Sequence, residues 1–586
     1  MLALLAWLYA PVLDHGFVMF DDDVNLYGNP HIGELTVERF VWAWTGHDYM
    51  PRVMPVAWLT VMALFGLGGM EPTVFHAYNL AMHAANTVLV FALATLALRL
   101  AARSRGRAVD ASRQAWVALA AAALWGLHPL RSESIAWATG WIYPTVTFFA
   151  LAAGWLALRR HEFADARRRW LLAAAVAAYG LSALTYPVTL GFPAALLAFE
   201  WWLGRGGREG GFAELADWRG LARARAIFFA IAGLALAGNV WARVAKNKFY
   251  PPAPAIEVFT VENRVAQAAR TVPHYALRML WPGQTTPVQD LRDPARLRDW
   301  PEAGWMALLV VIGVAALATA RRAPGGAAAL TAYLAATAPF SGLLDYPFQA
   351  SDRYGYFPGV TVVLAGALAA AGWLSAARSR ARWVAGGVAG AWAIWFAASV
   401  PAQLGKWKDS EALFGYLGAT LKSMEGQVAY GTSQALARAM RGDFAAANAL
   451  MDELAARGAD PEALRERRGL IERLEAIARA PMSIANARGL VAPDAVLAYK
   501  FALRDAEAGE QQGADFRFKQ ALAADADFHD ARHRHALLLA SWGRVAEAKA
   551  QRDELVRRAG AALSEAERAR LDDFIRRADE ATGGGA

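Results

Sequence analysis

The chain has 586 residues, of which 56% are hydrophobic and 19% charged, with a formal net charge of +8 and no cysteine. This composition is too apolar for an ordinary soluble protein, and the lack of cysteine excludes disulfides and thiolate metal sites. Net positive charge can indicate nucleic-acid binding, but here the arginines cluster in short loops between apolar segments, as in membrane proteins. We therefore expect a membrane protein with no nucleic-acid partner.

The chain divides into two parts by composition. Residues 1–402 contain repeated apolar runs, whereas residues 403–586 are charged, alanine-rich and free of such runs. Crossing the hydrocarbon core takes about 17–20 apolar residues. The sequence predicts eleven spans on this basis: 1–19, 80–98, 115–131, 141–158, 170–186, 187–203, 226–243, 304–320, 327–344, 357–376 and 383–401. The first has no basic start and no small-residue cleavage site, so we expect it to be retained.

Arginine placement predicts the sidedness of these spans. Five loops carry the arginine clusters: 99–113, 159–169, 205–225, 321–322 and 378–382. The positive-inside rule makes them cytoplasmic. The predicted outward parts are then the loops 20–79, 132–140, 244–303 and 345–356, together with everything after residue 402. High Ala, Arg and Gly content favours a bacterial inner membrane, with the C-terminal domain in the periplasm.

Two segments need a separate interpretation. Residues 53–69 are apolar enough to span, but a span here would put the acidic residues near position 22 on the same side as the loop 99–113. We therefore expect an interfacial or re-entrant helix. Thr185–Tyr186–Pro187 is predicted to be a tight turn between two spans, with a kinked helix as the alternative.

The C-terminal part has the period of a tetratricopeptide array. Gly509 and Gly543 lie 34 residues apart, and Gly442 lies 67 residues before Gly509. Each is expected where a repeat turns from its first helix to its second. Such helix pairs stack into a solenoid with a concave binding face. An unrelated helical bundle is the alternative.

Three consecutive aspartates, Asp21, Asp22 and Asp23, follow the first apolar segment. A carboxylate cluster at a membrane face is costly to desolvate, so it usually marks chemistry, ion handling or a helix cap. Its position predicts a site just outside the bilayer.

Several segments resemble motifs of the transmembrane and tetratricopeptide-repeat O-mannosyltransferases and their bacterial relatives, which are C-type (GT-C) glycosyltransferases. They are FDDDVNLYGNPHI (20–32), FHAYNLAMHAANTVLVF (75–91), HPLRSESIAW (128–137), SDRYGYFP (351–358) and WKDSEALF (407–414). The resemblance implies an all-α polytopic GT-C bundle followed by a tetratricopeptide α-solenoid. It also implies transfer of a sugar, best known as mannose, from a polyprenyl phosphate to a protein or glycan hydroxyl outside the cytoplasm, with inversion.

Two departures from the family pattern stand out. Relatives commonly carry a basic-acidic pair where this chain has the segment 140–144, and Ser-Lys-Pro where it has Thr185–Tyr186–Pro187. The lost charges bear on the donor head group and on whether activity is retained.

The resemblance assigns acidic roles. Asp21 would be the catalytic base that accepts the acceptor proton, and Asp22 would position the acceptor or a metal. The alternative is that these aspartates cap a helix near Val24. Glu133, which lies beside Arg131, would be a second metal or acceptor ligand, or else half of an interfacial Arg–Glu pair.

The resemblance also assigns the donor phosphate to Arg353, with Asp352 orienting it and Tyr354 beside it. A guanidinium can bind phosphate oxygens bidentately and neutralise the leaving group. The alternative is a local ion pair that anchors the loop. Further candidates are Arg52 and Arg278, with His76, His83 and His128, which could contact the donor or be buried structural histidines.

Metal dependence stays open at this point. Asp21, Asp22 and Glu133 could hold Mg²⁺ or Mn²⁺ through oxygen ligands, but arginine alone could neutralise the phosphate. One rival function is a catalytically degenerate membrane scaffold whose repeats assemble an envelope complex. A transporter or lipid flippase is less favoured, since the charges lie at the ends of the spans.

Overall fold

The computed structural model describes residues 1–29, 31–46, 52–108, 110–206, 212, 215, 217–245, 260–283, 285–288, 296–300, 302–343, 351–479, 493–507, 509, 511–559 and 563–583. The regular elements in these residues are all helical, with no strand among them. The predicted all-α class is confirmed for this part of the chain. Parts of the predicted outward loops 20–79, 244–303 and 345–356 lie outside the described residues.

The chain forms two compact units. The first contains Met1–Phe17 and Glu34–Asp409, and the second contains Val18–Gly33 and Ser410–Ala586. The sequence predicted a boundary after residue 402, with the acidic segment in the membrane domain. In the structure the boundary follows Asp409, and the acidic segment belongs to the C-terminal unit.

The first unit is a set of helices, with 3₁₀ turns between several of them. They are α1 (Leu2–Tyr9), α2 (Val37–Thr45), α3 (Pro55–Gly68), α4 (Pro72–Arg103), α5 (Ala111–Gly126), α6 (Ser132–Ala136), α7 (Ile142–Arg159), α8 (Arg167–Thr185), α9 (Phe192–Gly206), α10 (Trp218–Ala224), α11 (Ala226–Ala245), α12 (Val261–Leu280), α13 (Glu302–Thr319), α14 (Pro324–Thr337), α15 (Pro358–Ala376) and α16 (Ser379–Leu404).

Six helical segments within the described residues are long and apolar enough to cross a membrane: Pro72–Arg103, Ala138–Glu162, Ala226–Val244, Glu302–Thr319, Asp352–Ala376 and Ser379–Trp407. This is the pattern of a helical membrane protein. The other predicted spans also contain helices, but α5, α9 and α14 have 16, 15 and 14 residues. At 1.5 Å per residue they are shorter than the hydrocarbon core, and the count of eleven stays a prediction.

Residues 53–69 and the segment 185–187 each adopt a defined structure. Residues 53–69 contain α3, a 14-residue helix bounded by Met54 and Gly69. Helix α8 ends at Thr185, Tyr186 is extended (φ −166°, ψ 142°), and a 3₁₀ turn, Pro187–Thr189, precedes α9. The predicted turn is therefore present, and the alternative of one kinked helix is wrong.

Helix α4 organises the first unit because it packs against α5, α7 and α15. Near its C-terminal end the contact is apolar and built mainly from small side chains, among them Ala94, Ala118, Ala121 and Ala367. Small residues allow such close approach of helices. Toward its N-terminal end, buried Asn79 donates to the Trp137 carbonyl at 2.9 Å. This bond fixes the segment 129–141 against α4.

The second unit is built of helix pairs. Its helices are α17 (Ser410–Thr420), α18 (Met424–Met440), α19 (Phe444–Ala456), α20 (Pro461–Arg479), α21 (Pro493–Glu507), α22 (Gln511–Ala524), α23 (His529–Ser541), α24 (Val545–Ala559) and α25 (Glu565–Gly583). Gly442, Gly509 and Gly543 separate α18 from α19, α21 from α22 and α23 from α24, with φ of 83°, 80° and 78°. These left-handed turns lie at the predicted positions.

Candidate functional site

The Asp-Arg-Tyr segment forms a 3₁₀ turn, Asp352–Gly355, just before α15. Its Arg353 is held by Glu133 of α6 in two ways. The Arg353 guanidinium Nη1 donates to Glu133 Oε1 at 2.5 Å, and the Arg353 backbone N–H donates to Oε2 at 2.9 Å. Both oxygens of one carboxylate therefore fix the backbone and the side chain of the arginine.

The ion pair is largely shielded from solvent. The Glu133 side chain is 3% exposed and that of Arg353 13%. Burial raises the pKa of the Glu133 carboxyl, and the positive charge of Arg353 opposes that rise. Of the two side chains, that of Arg353 retains the greater exposure.

Aromatic rings surround the guanidinium. Its carbon lies 4.9 Å from the centre of the Tyr354 ring and 5.2 Å from that of Trp137. The Tyr143 hydroxyl accepts from Arg353 Nε at 3.1 Å. Cation–π contacts and a fixed hydrogen bond restrict the rotamers of a long side chain, which lowers the entropic cost of binding an anion.

A second cation joins this cluster through tyrosines. The Arg52 guanidinium donates to the Tyr186 hydroxyl and lies 5.2 Å from the centre of that ring. The Tyr186 ring packs edge-on against Tyr143 at 5.9 Å. Arg52 thus brings a second positive charge to the Tyr143–Tyr186 pair.

Asp352 has a different role from the one predicted. Its Oδ2 accepts the Thr286 backbone N–H at 2.6 Å, and Arg278 and Lys406 lie near enough to interact with it electrostatically. Glu133, not Asp352, bonds to the Arg353 guanidinium. The prediction failed because the neighbouring carboxylate points to another segment of the chain.

Glu133 does form an Arg–Glu pair, as its alternative interpretation predicted, but with Arg353 and not with the nearby Arg131. The Arg131 side chain is fully buried, and its Nη1 donates to the Gly355 carbonyl at 2.7 Å. Its guanidinium carbon lies 5.1 Å from the Trp125 ring centre. Through this hydrogen bond, Arg131 connects the segment that carries Glu133 to the Asp352–Gly355 turn.

Two histidine candidates, both fully buried, are held by structural hydrogen bonds. His83 Nε2 donates to the Gly126 carbonyl at 2.9 Å and Nδ1 accepts from the Tyr356 hydroxyl at 2.8 Å. His128 Nδ1 accepts the Leu130 N–H, and Nε2 donates to the Met279 carbonyl. The carbonyl partners require each Nε2 to carry the proton, which favours the structural alternative for both. His76 is also fully buried and lies edge-on to His15 at 6.0 Å.

The acidic segment lies in the second unit. Asp21 is exposed and has φ of 74°, the one positive φ of a non-glycine residue in the described chain. Such a conformation costs about 1–3 kcal/mol and clusters at functional sites, although Asp adopts it more readily than most residues. Asp22 is fully buried, and its Oδ2 accepts the Val18 N–H at 2.8 Å.

Asp23 begins a π-helical turn, Asp23–Tyr27, with no side-chain cap. The capping alternative is therefore wrong for this turn. Burial, with a contribution from the charge of Asp21, raises the pKa of Asp23. Tyr27 stacks on Phe516 of α22 at 4.4 Å. This ring contact fixes the acidic segment to the C-terminal helices.

In the part of the chain that the structure describes, no three His, Asp or Glu side chains are grouped so that they could hold a metal ion. The predicted set of Asp21, Asp22 and Glu133 therefore gains no support. Asp22 and Glu133 already use their carboxylate oxygens in hydrogen bonds within the chain.

Sequence reasoning missed a buried acidic centre on α9. Glu200 is fully buried and accepts from Arg160 at 3.0 Å, His161 at 2.9 Å and Arg225 at 2.8 Å. The signal was available, since Glu200 interrupts an apolar run and a buried carboxylate requires partners. This centre ties the ends of α7 and α9 to the start of α11.

By its fold and its apolar helices this is a helical membrane protein, with a guanidinium held among aromatic rings at the start of one span. Comparison with models of known protein families found no match. Comparisons with curated proteins and with solved structures found none either.

Proposed function

We propose that this protein is a GT-C-type membrane glycosyltransferase with eleven spans, a periplasmic active site and a tetratricopeptide α-solenoid. It would transfer a sugar, with mannose the first to test, from a polyprenyl phosphate to a protein or glycan hydroxyl. The proposal rests on the sequence resemblance and on one geometric observation: Arg353 is fixed by Glu133, Tyr143 and two aromatic rings while it keeps part of its surface exposed.

That geometry suits a phosphate leaving group. In the proposed step the acceptor oxygen attacks the anomeric carbon, the bond from that carbon to the phosphate oxygen breaks, and polyprenyl phosphate leaves. Negative charge grows on the phosphate during the step, and a preorganised guanidinium stabilises it without reorganising. Arg52, held on Tyr186, supplies a second positive charge, in place of the lysine of the family that the sequence resembles.

Asp21 is the proposed base that takes the proton of the acceptor hydroxyl. Asp21 is exposed and has a left-handed backbone, which suits this role. Asp22 suits it less well, because its carboxylate is buried and accepts a hydrogen bond from the Val18 N–H. Asp21 also belongs to the same compact unit as the C-terminal helix pairs. A solenoid that binds the acceptor would therefore carry the base with it.

The alternative function is a degenerate membrane scaffold. It is favoured by the loss of charged residues at 140–144 and at Tyr186, and by the neutralisation of Arg353 by Glu133. In this function the C-terminal unit would bind partners while the membrane unit serves as an anchor.

Replacement of Asp21 distinguishes the two functions. The purified full-length protein is reconstituted in liposomes with mannosyl polyprenyl phosphate and host envelope proteins, and release of polyprenyl phosphate is measured. We expect Asp21→Asn to lower turnover by a factor of about 10²–10⁴. Asparagine tolerates the left-handed backbone, so the unfolding temperature should not change.

Asp23→Asn is the matched control, since it removes a neighbouring carboxylate that has no proposed role in the reaction. The control should keep its turnover. Equal turnover in wild type and Asp21→Asn, or no turnover in any variant with several donor sugars, would favour the scaffold.

A further inference from the structure

An apolar cleft of about 590 Å³ runs between helices of the first unit, from Phe357, close after the Arg353 turn, toward the far end of α15. Its walls come from α4, α7, α9, α14 and α15, with side chains such as Leu93, Leu151, Phe199 and Leu364. Along α15 it extends from Phe357 to Ala369, about 18 Å at 1.5 Å per residue. This length is close to half of the ~30 Å hydrocarbon core, the depth of one leaflet.

A basic pocket of about 480 Å³ adjoins the cleft at the far end of α15. Arg105, Arg107, Arg113 and Arg205 line it with one carboxylate, Asp110, so its charged lining carries a net charge of +3. Asp110 pairs with Arg113 at 3.0 Å. The remaining arginines give this end of the first unit an excess of positive charge.

The cleft and the pocket share part of their walls. Trp202, Gly325 and Leu368 line both. The Arg105 guanidinium carbon lies 4.2 Å from the centre of the Trp202 ring, which holds the charge at the junction. An apolar cleft that adjoins a pocket lined by guanidinium groups matches a molecule with a hydrocarbon tail and a phosphate head.

We propose that this composite site binds an anionic phospholipid, with an acyl chain in the cleft and the phosphate among Arg105, Arg107 and Arg205. Basic pockets between membrane helices bind anionic head groups in this way. The arginines belong to the loops predicted to be cytoplasmic, so the lipid would come from that leaflet.

The basic pocket, where the lipid head group would bind, is separate from the proposed donor phosphate site. Pro358, at the start of α15, follows the Arg353 turn, whereas Ser375, near its end, lines the basic pocket. At 1.5 Å per residue the two ends of this helix lie about 26 Å apart. The lipid would brace helices at the opposite membrane face, and the inference does not depend on glycosyl transfer.

Lipid selectivity of the full-length protein tests the proposal. The detergent-solubilised protein is mixed with equal amounts of phosphatidylglycerol and phosphatidylcholine of the same chain length, and the bound lipid is quantified by native mass spectrometry. We expect preferential retention of phosphatidylglycerol. Each basic residue near an anionic lipid contributes to the binding free energy. From the usual size of that contribution, the double variant Arg105→Gln with Arg205→Gln should bind phosphatidylglycerol about 30-fold more weakly.

A second variant tests the cleft. A Cβ on Gly326, which lines the cleft, would meet no atom within 4 Å, so Gly326→Leu should fold while its side chain occupies the cleft. It should weaken phosphatidylglycerol binding, whereas Gly313→Leu on α13, equally open but away from both cavities, should not. Arg380→Gln with Arg382→Gln is the matched charge control.

Three results would overturn the inference. The first is equal retention of the two lipids. The second is displacement of the bound lipid by inorganic phosphate, which would indicate a free-phosphate site. The third is loss of phosphatidylglycerol in Arg353→Gln but not in the pocket variants, which would assign the cleft to the donor tail.

Discussion

At the scale of single residues, the most informative contact is the pair of Glu133 and Arg353. A buried carboxylate and guanidinium are stable together only when each satisfies the other. Tyr143 and Trp137 then fix the plane of the guanidinium. Tyr143 and Trp137 thus stabilise the ion pair and also hold Arg353 in one orientation. Anion recognition requires such a fixed orientation.

A double-mutant cycle tests this pair. Glu133→Gln should destabilise the first unit by about 3 kcal/mol, since it leaves the Arg353 guanidinium largely buried without its carboxylate. Glu133→Gln combined with Arg353→Met should cost less than the sum of the two single changes. Thermal unfolding of the purified full-length protein gives the three differences, and strict additivity would contradict a coupled pair.

At the scale of elements, the glycine turns determine how the C-terminal helices pair. Gly442, Gly509 and Gly543 each adopt positive φ between two helices. For a residue with a Cβ, this backbone conformation costs about 1–2 kcal/mol. Glycine at these points therefore lets each helix end and the next one turn back against it.

Gly509→Ala measures that cost without steric complication, since a Cβ there meets no atom within 4 Å. We expect the variant to destabilise the second unit by about 1–2 kcal/mol. Hydrogen exchange over α21 and α22 in the full-length protein should rise accordingly.

Gly418→Ala is the control, since Gly418 lies inside α17 and its Cβ would make only ordinary contacts, the nearest at 3.5 Å. Alanine is the better helix former, so this change should be neutral or slightly stabilising. If both variants behave alike, the left-handed turn is not what matters.

At the scale of the whole molecule, sidedness connects the proposals. The donor site needs Arg353 and Asp21 outside the cytoplasm, and the lipid site needs the arginine loops inside. Both follow from the same distribution of charge along the chain. The six span-length helices coincide with six of the eleven predicted spans.

Single-cysteine labelling tests the topology, because the natural chain has no cysteine. Ser541→Cys, exposed in the second unit, should react with an impermeant maleimide in spheroplasts. Ser112→Cys, exposed beside the arginines of the 99–113 loop, should react only after the membrane is opened. The cysteine-free parent gives the background, and labelling of both sites from the same side would refute the predicted orientation.

Much of the local structure could be predicted from the sequence. Apolar runs without charge become helices because lipid or a protein core offers no other partner for their backbone groups. The turn glycines and the break at Tyr186 were likewise predictable, since positive φ and the residue before a proline limit the backbone locally. The function and the count of spans stay predictions.

Tertiary structure alone decided which distant side chains meet. Glu133 bonds to a residue 220 positions later, and nothing in the intervening sequence specifies that partner in place of Arg131. Tyr27, in the acidic segment, stacks on Phe516, and Asp21 therefore belongs to the C-terminal unit. The physical reason is that periodicity and turn chemistry act over a few residues, whereas a buried charge or ring is satisfied by whichever group the packing of helices brings to it.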